Sequence, residues 1–166
     1  MKAIYSFQGK YDFISNFYLG EGSAVVIDGI LYETTEHAFQ AGKFVKRSIR
    51  RQVAGCSSPG NSKRFARALA AKVGNRAGWK SLDISIYWML KVIRLKFQHP
   101  LMRHKLLSTE DAELWEGNIW GDDFWGVVRN TNGDWEGQNW LGRILMHVRE
   151  ELRTGKQTAF KPDRYR

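Results

Sequence analysis

Glu36, Gln40 and Lys43 are spaced i, i+4, i+7 within Leu31 to Val45, read LYETTEHAFQAGKFV. On a helix that spacing puts an acid, an amide and an ammonium on one face. Thr34 or Thr35 can cap such a helix, because a hydroxyl there accepts an otherwise unpaired backbone N–H. Glu36 then falls in the first turn, where the positive end of the helix dipole favours a carboxylate. The remaining positions are largely apolar (Ala38, Phe39, Ala41, Phe44), which is the pattern of a buried helix. A polar stripe on a buried helix needs a reason, since unpaired buried polar groups are costly. Two reasons stay open: a structural network in which Glu36 bonds Lys43 or backbone, and a carboxylate that does chemistry.

A second acid stands in an unusual setting, Asp122-Asp123-Phe124-Trp125-Gly126. Two carboxylates from distant parts of a chain can flank a C–N or C–O glycosidic bond. One holds or activates water, and their negative charge stabilises an oxocarbenium-like transition state. The simpler reading of Asp122 is a turn residue bonded to its own loop, which is common for Asp.

Other chemistries find little support. His37, His99, His104 and His147 are scattered, and no His/Cys pair has zinc-ligand spacing. Cys56 is the single cysteine, so no internal disulfide forms, which fits a reducing compartment. The glycines match neither a P-loop nor a dinucleotide fingerprint. The N-terminus, MKAIYSFQGKY, lacks the apolar segment of a signal peptide, and no apolar run is long enough to span a membrane. A cytoplasmic protein with no membrane partner is the expectation.

The chain has 166 residues, enough for one domain with a sizeable core. Its formal net charge is +9, from 26 basic and 17 acidic residues, which favours phosphorylated or polyanionic partners such as nucleic acid. Aromatics make up 13 %, with seven tryptophans, and rings beside basic groups also serve as base-stacking platforms.

The elements that must carry these residues follow from local signals. Lys2 to Phe7 alternates like a short strand, and Gly9 to Ser15 reads as loop. Ala24 to Ile27 and Ile30 to Tyr32 are apolar runs joined by Asp28-Gly29, the strongest short-range hairpin signal. That hairpin delivers the chain into the Glu36 helix. A basic second helix covers Lys46 to Arg51. Ser58-Pro59 opens a third, basic and amphipathic, that carries Lys63, Arg64, Arg67 and Lys72. The spacing from residue 82 to Gln98 predicts the central core helix, preceded by Trp79. Pro100 starts another helix through Leu107. Leu114 to Trp120 reads as extended, and Gly126 to Gly137 as loop. Gln138 to Arg153 reads as a closing helix with Leu141, Leu145 and Val148 inward. Residues 1–154 form the expected domain, and 155–166 a basic tail with little to bury.

Taken in order, these motifs resemble the signature of the NADAR (YbiA-like) family. The match runs from Ser15-Asn16-Phe17 and Thr35-Glu36-His37-Ala38-Phe39-Gln40-Ala41-Gly42-Lys43-Phe44 onward. It continues through Ser57-Ser58-Pro59, Ala66-Arg67, Trp79, Lys96-Phe97 and Leu106-Leu107-Ser108-Thr109. It ends with Asp122, Trp125-Gly126, Gly137-Gln138-Asn139-Trp140-Leu141-Gly142 and Leu145-Met146-His147-Val148-Arg149. The resemblance covers residues 12 to 153.

The resemblance implies a mostly helical α+β domain with a small antiparallel β-hairpin or sheet. It implies an N-glycosidase that cleaves the C1–N bond between a phosphorylated ribose and a base or base-like amine. Family members act on ribosylamino-pyrimidine phosphates of riboflavin synthesis or on ADP-ribosylated guanine in nucleic acid. Carried over, Glu36 and Asp122 become the catalytic carboxylates. Asn16, Phe17, His37, Gln40, Lys43, Arg67, Trp79, Trp125 and Asn139 become substrate-binding candidates, with Lys43 and Arg67 on phosphate and Trp79 and Trp125 stacking on the base. No metal or redox cofactor is implied, and the oligomeric state is left open. One departure stands out: Val127 to Glu136 is longer than the family's usual link and carries Arg129 and Trp135. A non-catalytic nucleotide- or nucleic-acid-binding module is the alternative; two retained acids speak against it. A generic scaffold for protein partners needs no site at all and is the weakest reading.

Overall fold

A computed structural model describes residues 2–79 and 82–165, with the side chains of 82, 83 and 162 left aside. The protein is a mostly helical α+β fold with small β-sheets. In chain order the elements are β1 (Ala3–Ile4), a 3-10 helix (Gly9–Ile14), β2 (Val25–Ile27), β3 (Ile30–Tyr32), α1 (Thr35–Ala41), α2 (Arg47–Ala54), α3 (Pro59–Val73), α4 (Leu82–Lys96), α5 (Pro100–Leu107), β4 (Glu113–Leu114), β5 (Val128–Arg129), β6 (Trp135–Glu136), α6 (Trp140–Thr154) and a last 3-10 turn (Pro162–Tyr165). Contacts divide the chain into two compact units, one of Asn16–Met102 and one of Met1–Ser15 with Arg103–Arg166.

In the first of these units, β2 and β3 form the expected antiparallel hairpin, with Ile27 opposite Ile30. Asp28 and Gly29 both take positive φ, as a two-residue turn of this kind requires. Val25, Ile27, Ile30 and Tyr32 face inward and are buried, while Val26 and Leu31 face out. Arg50 of α2 ties the turn down: its Nη1 donates to Asp28 Oδ2 at 2.6 Å and its Nε to Phe44 O at 3.0 Å. Every residue of α1 is buried, and α2, α3 and α4 pack around it. Thr34 is the cap, its hydroxyl accepting the backbone N–H of His37. Ser58 caps α3 in the same way through Asn61 N, with Pro59 in the first turn.

The α1 helix is shorter than the expected segment. Leu31 and Tyr32 belong to β3, and the helix ends at Ala41. Gly42, Lys43 and Phe44 close it with tighter bonds to the carbonyls of Phe39, Gln40 and Ala41. Lys43 therefore sits just past the end of the helix, not on its face.

The second unit pairs β1 with β4 in parallel, Ala3 opposite Glu113 and Ile4 opposite Leu114. Leu141, Leu145 and Val148 of α6 are buried, as their spacing implied. Residues 9–15, expected as loop, contain a 3-10 helix that buries Phe13 and Ile14. Residues 126–137, also expected as loop, contain the β5–β6 hairpin, with Arg129 opposite Trp135. Asn130 builds its turn: its Oδ1 accepts from the backbone of Asn132 and Asp134. In the expected tail, Phe160 packs edge-on against His147, and the Tyr165 hydroxyl lies 3.2 Å from His147 Nδ1. Glu151 Oε1 accepts the Thr158 N–H at 2.7 Å. Arg166, the last cation of that tail, lies outside the described residues. Among the described residues no helix is long and apolar enough to cross a membrane.

Candidate active site

Glu36 is 5 % exposed and Gln40 3 %. One helical turn apart, they meet: Gln40 Nε2 donates to Glu36 Oε1 at 2.7 Å. Gln40 Oε1 is buried and has no hydrogen-bond partner among the described residues. The N-terminus of α1 is held by Asn16. Its carbonyl accepts the Glu36 N–H at 3.0 Å, and its Oδ1 accepts the Thr35 hydroxyl at 2.9 Å. Asn16 Nδ2 points to Met89 Sδ at 3.4 Å. The amide of Asn16 thus positions the helix that carries Glu36.

Cations gather beside this pair. Lys43 is half-buried, and burial, the largest influence, holds its ammonium below the usual lysine value. Glu36 pulls in the opposite direction, while Lys63 and Arg67 add to the lowering. Lys63 and Arg67 are exposed on α3 and stand i, i+4 on one face. The Lys63 ammonium also lies 6.0 Å from the Phe17 ring centroid, and Phe17 is 43 % exposed. Lys63 was not among the site residues expected from the sequence; its i, i+4 relation to Arg67 on a basic helix was the available signal.

His37 and Trp79 take supporting places. His37 is fully buried, with Nδ1 at 2.8 Å from Thr34 Oγ1 and Nε2 at 3.1 Å from Cys56 O. Both ring nitrogens are spent inside the protein. Trp79 is buried, its ring tilted against Phe39 at 5.3 Å.

Asp122, Trp125 and Asn139 belong to the other unit. Asp122 Oδ1 accepts the N–H groups of Phe124 at 3.2 Å and Trp125 at 2.8 Å. Buried Asn118 grips the backbone of Asp122 from both sides, accepting its N–H at 2.9 Å and donating to its carbonyl at 2.7 Å. The loop that presents Asp122 is therefore built, and one carboxylate oxygen, Oδ2, accepts no hydrogen bond among the described residues. Trp125 is half-buried and meets Phe124 edge-on at 5.0 Å. Asn139, with φ of 51°, spends its amide on backbone: Oδ1 accepts from Glu116 N at 3.1 Å and Nδ2 donates to Leu114 O at 2.9 Å. Arg129 and Trp135 of the longer link engage each other at 4.3 Å, and Tyr5 stacks on the same indole. No group of three or more His, Cys, Asp or Glu among the described residues is arranged to hold a metal ion.

The mostly helical α+β fold is one that known proteins share. The NADAR domain profile matches residues 5–153. N-glycosidase YbiA of Escherichia coli (strain K12) is 35 % identical over 149 residues, covering 89 % of this chain and 86 % of that protein. Riboflavin biosynthesis protein VVA0006 of Vibrio vulnificus is 35 % identical over 144 residues, covering 86 % of this chain but 36 % of that one. The NMR structure of the E. coli protein YbiA superposes with a TM-score of 0.73 at 32 % identity, covering 96 % of this chain and 92 % of that one. The chain belongs to the NADAR family.

Proposed function

We propose that this protein is an N-glycosidase that hydrolyses the C1–N bond between a phosphorylated ribose and a base or base-like amine. The observation that carries the reading is the buried Glu36–Gln40 pair with Lys43 and its basic neighbours beside it. In the reaction, water adds to C1 of the ribose. The bonding pair of C1–N leaves with nitrogen, which takes up a proton. The buried Glu36 carboxylate holds the attacking water or stabilises positive charge developing at C1, where it acts without the reorganisation that water would require. Gln40 fixes its orientation. Lys43, Lys63 and Arg67 hold phosphate. The family resemblance alone supplies Asp122 as a second candidate carboxylate and Trp125 as a candidate ring, and Phe17, beside Lys63, is the exposed ring of the Glu36 unit. His37, Asn16 and Asn139 serve the site by fixing backbone, and Trp79 backs Phe39.

The favoured substrate is ADP-ribosylated guanine in nucleic acid. A monophosphate needs one or two cations, and this chain carries many more, on α2, on α3 and in its last residues. The second reading is a ribosylamino-pyrimidine phosphate of riboflavin synthesis. The Vibrio vulnificus relative, a riboflavin biosynthesis protein, favours it, and the cations nearest Glu36 would suffice for it. The deciding experiment incubates the protein separately with ADP-ribosylated DNA and with the pyrimidine phosphate, and measures released base and sugar across salt concentrations. Efficient cleavage of the pyrimidine phosphate with a flat salt response reverses the choice. Cleavage of neither removes the enzymatic reading and leaves a nucleotide-binding module.

A further inference from the structure

The opposite side of α1 carries a second basic cluster that the glycosidase reading does not use. Ala38 and Gly42 lie about 200° around the helix from Glu36 and Gln40. There the indole of Trp88 donates from Nε1 to Ala38 O at 3.0 Å and covers Gly42. Three cations surround this one ring: Arg50 at 4.9 Å, Lys91 at 5.3 Å and Arg76 at 5.7 Å from its centroid. Each contact is attractive, but three like charges around one ring repel each other. Asp28 acts electrostatically on Arg50 and Lys91, and Arg50 already holds it in an ion pair. Arg76 and Lys91 have no ion pair among the described residues. Lys91 is exposed, and one turn earlier on α4 the Tyr87 ring is 58 % exposed. Cations without an ion pair of their own beside an open aromatic ring are the chemistry of a single-stranded nucleic-acid platform: phosphates on the charges, a base on the ring.

We propose that Arg76 and Lys91, arranged around Trp88, and the neighbouring Tyr87 form a binding surface for a nucleic-acid strand, one that adjoins the Glu36 site where Arg76 N donates to Lys43 O at 2.6 Å but uses none of its side chains. Arg76 and Lys91 neutralise successive phosphates, and Tyr87 stacks on a base between them. Arg50 stays with Asp28 and serves as scaffold. The surface supplies affinity for the strand whatever its sequence, since neither cation reads a base edge. It does not rest on the glycosidase reading, because a strand carrying no ADP-ribose binds it.

The test is binding of a fluorescent, unmodified single-stranded oligothymidine by anisotropy at several salt concentrations. The proteins are the wild type, Arg76→Ala/Lys91→Ala, Tyr87→Ala, and a control that removes two exposed cations elsewhere, Lys2→Ala/Lys10→Ala. The Arg76/Lys91 variant is expected to lose about tenfold or more in affinity at low salt. Its log–log salt slope should shrink by about 1.4, at roughly 0.7 per phosphate released. Tyr87→Ala is expected to weaken binding several-fold with the slope unchanged, and the control to change little. Melting curves confirm that each variant is folded. No wild-type binding at low salt, equal losses in the control and the Arg76/Lys91 variant, or an unaffected Tyr87→Ala protein overturns the proposal. Cleavage of a small substrate is read in parallel, so failure of this surface is distinguishable from failure of the glycosidase.

Discussion

Gln40 donates one amide N–H to Glu36 at 2.7 Å and keeps its own carbonyl oxygen buried and unpartnered. The pair thus leaves one acceptor without a hydrogen bond among the described residues. A buried orphan acceptor costs about 1–3 kcal/mol, so a substrate hydroxyl or amine that fills it regains that amount.

Glu36→Gln separates charge from shape. The amide oxygen of the new side chain can still accept from Gln40, so the fold should survive. Loss of the carboxylate should lower kcat by about 10²-fold or more. Steady-state kinetics beside a melting curve decide the matter. A folded variant with full activity sinks the catalytic assignment, and an unfolded one favours a structural network.

Gln40→Leu tests the orienting role. The change deletes the hydrogen bond to a buried carboxylate, worth about 1.5–3 kcal/mol when one partner is charged. Both stability and turnover should fall. Gln40→Glu should be worse for stability, because it puts a like charge one turn from Glu36 in a buried setting. If Gln40→Leu melts with the wild type, the pair does not support α1.

What was legible in the sequence was local. Asp28-Gly29 announced its hairpin, Ser58-Pro59 its helix start, and Glu36 with Gln40 their shared face, because each depends on residues within one turn. What escaped depended on distant partners. The β5–β6 hairpin is covered by Tyr5, which stacks on Trp135 from the far end of the chain. Asn16 as the brace of α1 was not visible either, since its bonds to Thr35 and Glu36 cross the hairpin. His37 shows a ring whose hydrogen bonds no pattern announces. It stands in the middle of the signature, yet its ring joins Thr34 to Cys56.

Gly42 occupies a signature position for a steric reason. A Cβ there would run into the Trp88 indole. Gly42→Ala should therefore destabilise by about 1–3 kcal/mol, as overpacked sites do. Trp88→Leu should absorb part of that cost, so the double variant should be less unstable than the two single losses added. Additivity of the three melting free energies would show that ring and glycine do not meet.

Asp122→Asn and Asp122→Ala divide two roles. Asn keeps an oxygen for the N–H groups of Phe124 and Trp125, whereas Ala leaves both without it. Stability should hold in Asn and fall by about 1–2 kcal/mol in Ala, comparable to loss of a cap. Turnover should collapse in both. Wild-type turnover in the Asn variant would leave Asp122 as a turn residue only.

If Lys43 holds phosphate as proposed, it should give the reaction an alkaline limit. Burial depresses its ammonium below the usual value of 10.5, and Lys63 and Arg67 add to this against the pull of Glu36. Between the lowered value and 10.5 the unfolded chain holds a proton that the folded protein has released. Through that window the Lys43 contribution to stability rises with pH. Phosphate binding runs the other way, because the neutral amine no longer attracts the anion. KM for a phosphorylated substrate should therefore climb as pH passes the lowered value, earlier than an ordinary lysine would allow. Lys43→Arg should flatten that climb, since a guanidinium stays charged throughout. The measurement is KM against pH for both proteins, with binding of ADP-ribose as a second readout. Parallel profiles for the two would remove Lys43 from the phosphate site.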